Sequence, residues 1–370
     1  MRSVAGSPRG GSTPVPGLWP GVADSASGRL CDNVADFGSV LNEAASRFAT
    51  DERAIVRDYH MCRTLRALFT QHPPGTMFED RYNDHKQRFV SYPAGELLFT
   101  GGSSLTNAYQ LADRISEDID LSVALTTEIG SKNARGRIRR LAVIDTARAC
   151  SPELPDEAHN TRTTGGDVGR RVITVGDTPN YLVAESSIIR PFDEDLQAEL
   201  DAACGQTFVV ARVVPCQSLM GRAADPAAAA TYPELDAFEL VALCVPFTAA
   251  NKFLALHKRA MAEPDGRALV DLQKRGRDIY DLWSIAQSPP HAAETRATLP
   301  ILARHIQAKG ATDEPHPRPD AGFSTSPALQ PGTAQYQALE AGYNAVARDL
   351  VWGRKPASFA DAVATIKTLD

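Results

Sequence analysis

The stretch LLFTGGSSLTNAYQLADRISEDIDLSVAL, residues 97–125, contains an apolar segment, a glycine pair and two acidic residues in a second apolar segment. Residues 97–99 predict a short buried strand. Gly101-Gly102-Ser103 predicts a sharp turn, because residues without a Cβ adopt backbone angles that others disfavour. We expect Ser103 to cap a helix from Ser104 to about Asp113, where leucine, alanine and tyrosine recur at helical spacing.

The second apolar segment predicts a strand in which the two aspartates share one face. Its apolar residues alternate with Asp118 and Asp120, so the apolar side chains would face a core and the carboxylates the opposite side. Neighbouring carboxylates repel each other, and oxygen ligands on a rigid strand suit Mg²⁺, which retains waters and takes further ligands from phosphates. The helix N-terminus after the glycine pair would offer N–H groups to the same polyphosphate.

Glycine turns and Asp-x-Asp pairs are each common alone, but their combination is specific. Strand, Gly-Gly-Ser, helix and Asp-x-Asp together resemble the DNA-polymerase-beta-like nucleotidyltransferase fold. The longer wording GGSSLTNAYQLADRISEDIDL is similar to the AbiEii/AbiGii toxin family, which includes the MenT-type toxins. The resemblance implies an α/β (α+β) fold in which a small mixed sheet is flanked by helices and followed by a helical C-terminal half. It also implies a Mg²⁺-dependent nucleotidyltransferase with metal ligands Asp118 and Asp120 and nucleotide-binding residues Gly101, Gly102 and Ser103.

Two further helices carry basic candidates by the same resemblance. In AIVRDYHMCRTLRALF, residues 54–69, Arg57 stands where the family has lysine and is a nucleotide-binding candidate; a helix that only packs on the core is the alternative. In AANKFLALHKRAMA, residues 249–262, Lys252 matches a family lysine suited to the triphosphate, and a plain surface lysine is the alternative. Asn251 stands where glutamate is usual.

The family's Arg-Asp-x-Tyr-Asp-Leu helix is matched by the residues that follow Arg275. Asp278, a catalytic candidate, and Asp281, a nucleotide-binding candidate, are three residues apart and would share a helix face. They would orient Lys252 or bind nucleotide. Salt bridges to Arg275 or Arg277 are the alternative.

A third carboxylate is expected on a neighbouring strand. Residues 170–175 and 181–189 predict a hairpin around GDTPN, and Glu185 on its second strand would act as general base or complete the metal site; an exposed strand glutamate is the alternative. The basic run SKNARGRIRR, residues 131–140, is a candidate contact for a nucleic-acid backbone, and a solvated helix face is the alternative.

Composition bounds the class of protein. The chain has 370 residues, 43% hydrophobic and 23% charged, with a formal net charge of -6, which neither indicates nor excludes a local nucleic-acid site. No apolar run approaches the roughly 18–20 residues needed to cross a bilayer, so we expect no membrane role. The six cysteines form no Cys-x-x-Cys pair, which favours a reducing cytoplasm over a disulfide scaffold or a zinc site.

The sequence suggests five regions. Residues 1–32, rich in Gly, Ser and Pro, would form a disordered tail without a secretory signal. A nucleotidyltransferase core over 33–190 would be followed by a second half, 191–310, with the lysine and Arg-Asp-x-Tyr-Asp helices. A Pro-rich connector, 311–333, would lead to C-terminal helices over 334–370.

If the resemblance holds in full, the protein is the toxin of a type IV-like toxin–antitoxin or abortive-infection system. It would transfer a nucleoside monophosphate from a nucleoside triphosphate to the 3′ end of tRNA and would have a cognate antitoxin. Nucleotidylation of a protein or small molecule, or an inactive nucleotide-binding module, are the alternatives. Thr100 stands where the family commonly has lysine, so the choice of nucleotide and the activity are left open.

Overall fold

The computed structural model describes residues 28–75, 81–83, 88–90, 95–116, 118–129, 132–150, 170–174, 181–262, 266–309, 318–353 and 355–370. These residues form a mixed sheet flanked by helices and followed by a helical C-terminal half, which confirms the predicted fold class. Most of the predicted tail, the hairpin turn and the first part of the Pro-rich connector lie outside the described residues. Within these residues, no helix combines the length and the apolar character that crossing a bilayer requires.

The strands are β1 (Arg81–Asn83), β2 (Arg88–Val90), β3 (Gly95–Thr100), β4 (Asp118–Leu125), β5 (Arg170–Thr174), β6 (Tyr181–Ile189), β7 (Ala211–Cys216) and β8 (Phe238–Leu243). The helices of the first half are α1 (Val34–Phe48), α2 (Glu52–Gln71), α3 (Gly101–Asn107), α4 (Lys132–Cys150), α5 (Glu194–Cys204), α6 (Leu219–Ala223) and α7 (Pro226–Thr231). The helices of the second half are α8 (Val245–Ala260), α9 (Gly266–Gln273), α10 (Gly276–Ala286), α11 (Pro289–Lys309), α12 (Ala334–Asp349) and α13 (Phe359–Ile366).

The main sheet has six strands in the order β5-β6-β4-β3-β8-β7. β4 runs antiparallel to β3 and parallel to β6, while β8 runs parallel to β3. β5 and β6 form the predicted antiparallel hairpin. The sheet draws strands from both sides of residue 190, and the five-region division of the chain stays a proposal.

The alternation predicted for β4 is confirmed by burial. Its apolar side chains are almost completely buried, while Asp118 and Asp120 on the other face are partly exposed. Helices α2 and α4 pack against each other and contribute to the same apolar core as the sheet. The strand therefore presents its carboxylates away from that core. The buried residues are Ile119, Leu121, Val123 and Leu125.

The predicted bounds of helix α3 are wrong. The helix begins at Gly101, with Thr100 at the N-cap position, and ends at Asn107 instead of near Asp113. The Ser103 hydroxyl does not cap it but donates to the carbonyl of Asp118 at 2.8 Å. Beyond the helix, Gln110 takes a left-handed backbone conformation with φ of 52°, which is incompatible with a right-handed helix that continues to Asp113.

The other helices that carry candidate residues form close to where they were expected. Helix α8 begins at Val245, four residues before the predicted start, because Pro246 is accepted in a first helical turn where its missing N–H costs nothing. Residues 191–236 form α5, β7, α6 and α7. All six cysteines lie in the described part of the chain, and none of them forms a disulfide.

Candidate active site

A polar cleft of about 620 Å³ opens where β3 passes into α3. Its walls also come from β4, β6, α8 and the start of α10. Charges of both signs line it, in a space large enough for a nucleotide. The basic residues are Arg114, Arg139, Lys252, Arg275 and Arg277, and the acidic residues are Asp118, Asp120, Glu185 and Asp278.

The two glycines allow charged groups to approach the backbone at the floor of the cleft. Gly101 has φ of 73°, and a Cβ there would overlap the carboxylate of Asp120. A Cβ on Gly102 would overlap the guanidinium of Arg114. Glycine is therefore required at both positions by close packing, and at Gly101 also by the backbone angle.

Three carboxylates lie side by side on β4 and β6. Asp120 is the register partner of Glu185 and is two residues from Asp118 on the same strand. Burial, followed by the charges of Asp118 and Glu185, raises the pKa of Asp120 to about 6. Arg277 offers partial relief, with Nη1 3.6 Å from Oδ2 of Asp118. The strand pair thus concentrates negative charge at one wall of the cleft.

This donor set fits a divalent cation that is shared with phosphate. Among the described residues, no three His, Cys, Asp or Glu side chains converge as a metal cluster. Asp118 and Asp120 nevertheless provide two neighbouring carboxylates, which suits a hard cation that takes its remaining ligands from water and phosphate oxygens. Glu185 is exposed beside them.

Lys252 lines the same cleft as these carboxylates and is held by two aspartates of α10. Its Nζ is 2.8 Å from Oδ1 of Asp278 and 2.7 Å from Oδ2 of Asp281. Burial alone would lower the pKa of Lys252, but the two carboxylates raise it above its ordinary value, so the ammonium remains charged. Asp278 also accepts from Nη1 of Arg275 at 3.4 Å, so orientation of the lysine and the alternative salt bridge are both present.

Arg114 completes this ionic network and was not among the candidates from sequence. Its Nε and Nη2 donate to the two oxygens of Asp281 at 2.6 and 2.7 Å. Burial would raise the pKa of Asp281, but Arg114 and Lys252 lower it to about 2. The only sequence signal for Arg114 was its place in ADRISEDIDL, four residues before Asp118.

Seven of the ten predicted site residues line the cleft. Of the other three, Ser103 is fully buried against Asp118, and Asp281 lies behind Lys252. Arg57 lies on α2 and is not among the lining residues. The seven are Gly101, Gly102, Asp118, Asp120, Glu185, Lys252 and Asp278.

The basic run lies on α4 and partly reaches the cleft. Arg139 lines it and donates from Nε to the carbonyl of Ser186 at 2.7 Å, while the Ser186 hydroxyl donates to the carbonyl of Arg139 at 2.7 Å. Arg137 and Arg140 are exposed on the same helix. Part of the run is therefore structural, and part faces solvent beside the cleft.

Comparison with known proteins gives one family match. Residues 89–365, more than half of the chain, match the family described as nucleotidyl transferase AbiEii toxin, type IV TA system. The match spans every cleft-lining residue. No curated protein matches the chain.

Proposed function

The chain belongs to the AbiEii family of nucleotidyl transferase toxins from type IV toxin–antitoxin systems, and we propose that it transfers a nucleoside monophosphate from a nucleoside triphosphate to the 3′ end of tRNA. The observation that carries the proposal is that Asp118, Asp120 and Lys252 line one cleft. Carboxylates and a cation in the same cleft suit a substrate in which a metal ion bridges anionic phosphates.

Each wall has a task in this proposal. Lys252, kept protonated by Asp278 and Asp281, binds the triphosphate as a point charge. Glycine at positions 101 and 102 lets the carboxylate of Asp120 and the guanidinium of Arg114 pack against the turn at which the phosphates would bind. Glu185 lies beside Asp120 and accepts the proton of the attacking hydroxyl.

Asp118 and Asp120 would hold the metal ion, and Mg²⁺ is the cation proposed. When bound, it would neutralise charge on the phosphates and lower the pKa of the attacking hydroxyl. The reaction joins the acceptor oxygen to the α-phosphorus and releases pyrophosphate.

An RNA acceptor is supported by α4, in which Arg139 lines the cleft and Arg137 and Arg140 are exposed on the same helix. Arg137 and Arg140 would contact phosphates of the acceptor, since such contacts position nucleic acid without reading its sequence. Membership of a type IV toxin–antitoxin family implies an antitoxin partner. We place the reaction in the cytoplasm, where tRNA and triphosphates occur.

The test is incubation of the full chain with each radiolabelled ribonucleoside triphosphate, Mg²⁺, and either total RNA or total protein. We expect label in the tRNA band, loss of labelling with chelator and with Asp120→Asn, and no loss with Asp195→Asn, an exposed aspartate on α5. Label on protein alone would reject the tRNA proposal in favour of protein nucleotidylation. Absence of label in both would reject nucleotidyl transfer to either acceptor.

A further inference from the structure

Among the described residues, Arg114 has the largest side chain that is fully buried. It precedes β4 and is 2% exposed. All three of its nitrogens donate: Nε and Nη2 to Asp281, and Nη1 to the carbonyl of Ile115 at 2.9 Å. The desolvation of a buried guanidinium has to be offset by hydrogen bonds and an opposite charge of this kind.

The backbone around Arg114 is fixed from two sides. The Thr106 hydroxyl of α3 donates to its carbonyl at 3.1 Å. On the other side, the segment after α12 pairs with it, through a bridge between Arg114 and Val351 and a 2.9 Å bond from the Ile115 N–H to the carbonyl of Leu350. The guanidinium therefore occupies a defined position beneath the glycine turn.

Asp281 connects this arginine to the cleft. Oδ1 of Asp281 binds Arg114, and Oδ2 binds both Arg114 and Lys252. Because the carboxylate is completely buried, it has no solvent to share its charge with. Its position is thus set by Arg114, and it in turn limits the movement of the flexible lysine side chain.

The count of charges also matters. Arg114, Lys252 and Arg275 supply three positive charges, whereas the α10 aspartates that they contact supply two negative ones. With Arg114 present, the carboxylate of Asp281 is already neutralised, so the ammonium of Lys252 keeps charge for an anionic ligand. Without it, two carboxylates would face Lys252 and Arg275 alone.

We propose that Arg114 is a positioning residue of the nucleotide site, which fixes Asp281 and through it holds the ammonium of Lys252 at the cleft wall with charge available to a triphosphate. This inference rests on the proposed nucleotidyl transfer. Arg114 itself touches the backbone of Gly102 and acts on the nucleotide through Lys252.

The first test measures binding of the four ribonucleoside triphosphates, with Mg²⁺, to the full chain by equilibrium titration. Arg114→Met is expected to weaken the tightest binder roughly 10–100-fold, by analogy with the loss of a group that orients a metal-ligating side chain. Arg114→Lys should weaken it less, because it keeps a cation near Asp281 but not the two-bond geometry. Arg304→Met, which removes an exposed arginine of α11, is the control and should leave binding unchanged.

A double-mutant cycle separates this positioning from general destabilisation. If Arg114 acts through Lys252, the Arg114→Met and Lys252→Met changes together should weaken binding no more than Lys252→Met alone. The proposal would be overturned if Arg114→Met weakened nucleotide binding equally in the wild type and in Lys252→Met, or did not weaken it at all. If Arg114→Met does not fold, as judged by circular dichroism, the cycle is run with Arg114→Lys, and the same non-additivity is expected.

A second measurement needs no nucleotide. Reductive methylation, followed by peptide mass spectrometry, modifies the neutral amine of Lys252. It should be slower in Arg114→Met than in the wild type, because Asp281 then pairs with Lys252 without the opposing charge of Arg114, which raises the pKa of the lysine. Unchanged methylation would reject the positioning role whatever the protein binds. Slower methylation in a protein that binds no triphosphate would instead retain the action of Arg114 on Lys252 and reject the proposed function.

Discussion

Asp120 destabilises the folded chain in the absence of a cation. Its pKa rises from 3.8 to about 6 through burial and the nearby carboxylates of Asp118 and Glu185, so the folded state disfavours its ionised form. For an acid with a raised pKa, stability falls as pH increases from the unfolded value to the folded one. The penalty is absent below pH 4 and complete above pH 6.

We therefore expect Asp120→Asn to stabilise the metal-free protein at pH 7.5 by about 2 kcal/mol, a figure reduced for the partial exposure of the side chain. Urea unfolding in the presence of chelator at pH 7.5 and pH 4 measures it, and the gain should vanish at pH 4. A loss of stability at pH 7.5 would show that the three carboxylates do not strain the fold.

Gly101 is constrained both by its backbone and by Asp120. Gly101→Ala should cost about 1 kcal/mol for the left-handed conformation and a further 1–3 kcal/mol for the overlap with the Asp120 carboxylate. Gly205 is the matched control, since its φ is 66° and a Cβ there meets nothing within 4 Å. Gly205→Ala should show only the first cost in urea unfolding. Equal losses for the two variants would mean that Asp120 does not pack against the turn.

At the scale of elements, α10 is held against α12 by a contact between two glycines. A Cβ on Gly276 would overlap the backbone of Gly342, and a Cβ on Gly342 would overlap the carbonyl of Gln273. Because α10 carries Asp278 and Asp281, the distance between these helices also determines the position of the two aspartates that hold Lys252.

Gly342→Ala should therefore destabilise the protein by about 1–3 kcal/mol. Alanine is the better helix former, but the steric overlap of its methyl group outweighs the gain in helix propensity. Gly38 lies in α1 with open space around it, and Gly38→Ala should stabilise by up to about 1 kcal/mol. Thermal or urea unfolding of the two variants gives the sign. A stabilising Gly342→Ala would contradict the close approach of α12 to the carbonyl of Gln273 at the end of α9.

Sequence patterns predicted strands and helices well where the pattern lies within a few neighbouring residues. The alternation around Asp118 and Asp120 identified β4, while α10 was predicted from the similarity of its sequence to a helix of the family. The bounds of α3 were wrong because they depend on contacts distant in sequence. Ser103 bonds a residue 15 positions away instead of capping the helix, which local preferences do not encode.

At the scale of the whole molecule, the order of the strands in the sheet could not be predicted from local sequence patterns. β8 joins β3 although more than a hundred residues separate them, and it brings α8 and Lys252 to the cleft. The family resemblance identified Lys252 as a candidate, but it did not predict how the fold brings this residue to the cleft. Arg114 was missed because a buried arginine is indistinguishable in sequence from an exposed one, and its partner Asp281 lies 167 residues away.

The C-terminal helices α12 and α13 cover the apolar side of α10, so ending the chain after Gly332 should abolish cooperative unfolding. Ile279 and Tyr280 of α10 are almost completely buried, and α12 and α13 both pack on that helix. Exposure of this surface would increase binding of a hydrophobic dye, and circular dichroism against temperature would lose its sharp transition. A truncated chain that unfolds sharply at the wild-type temperature would show that the helices are dispensable.

The central claim is that Asp118, Asp120 and Lys252 form one metal–nucleotide site. A crystal structure with Mn²⁺ and a non-hydrolysable triphosphate, read by anomalous scattering, tests it most directly. We expect one strong manganese peak bound by both Asp118 and Asp120, with triphosphate oxygens between it and Nζ of Lys252. A peak elsewhere, or a triphosphate bound outside the cleft, would contradict the account.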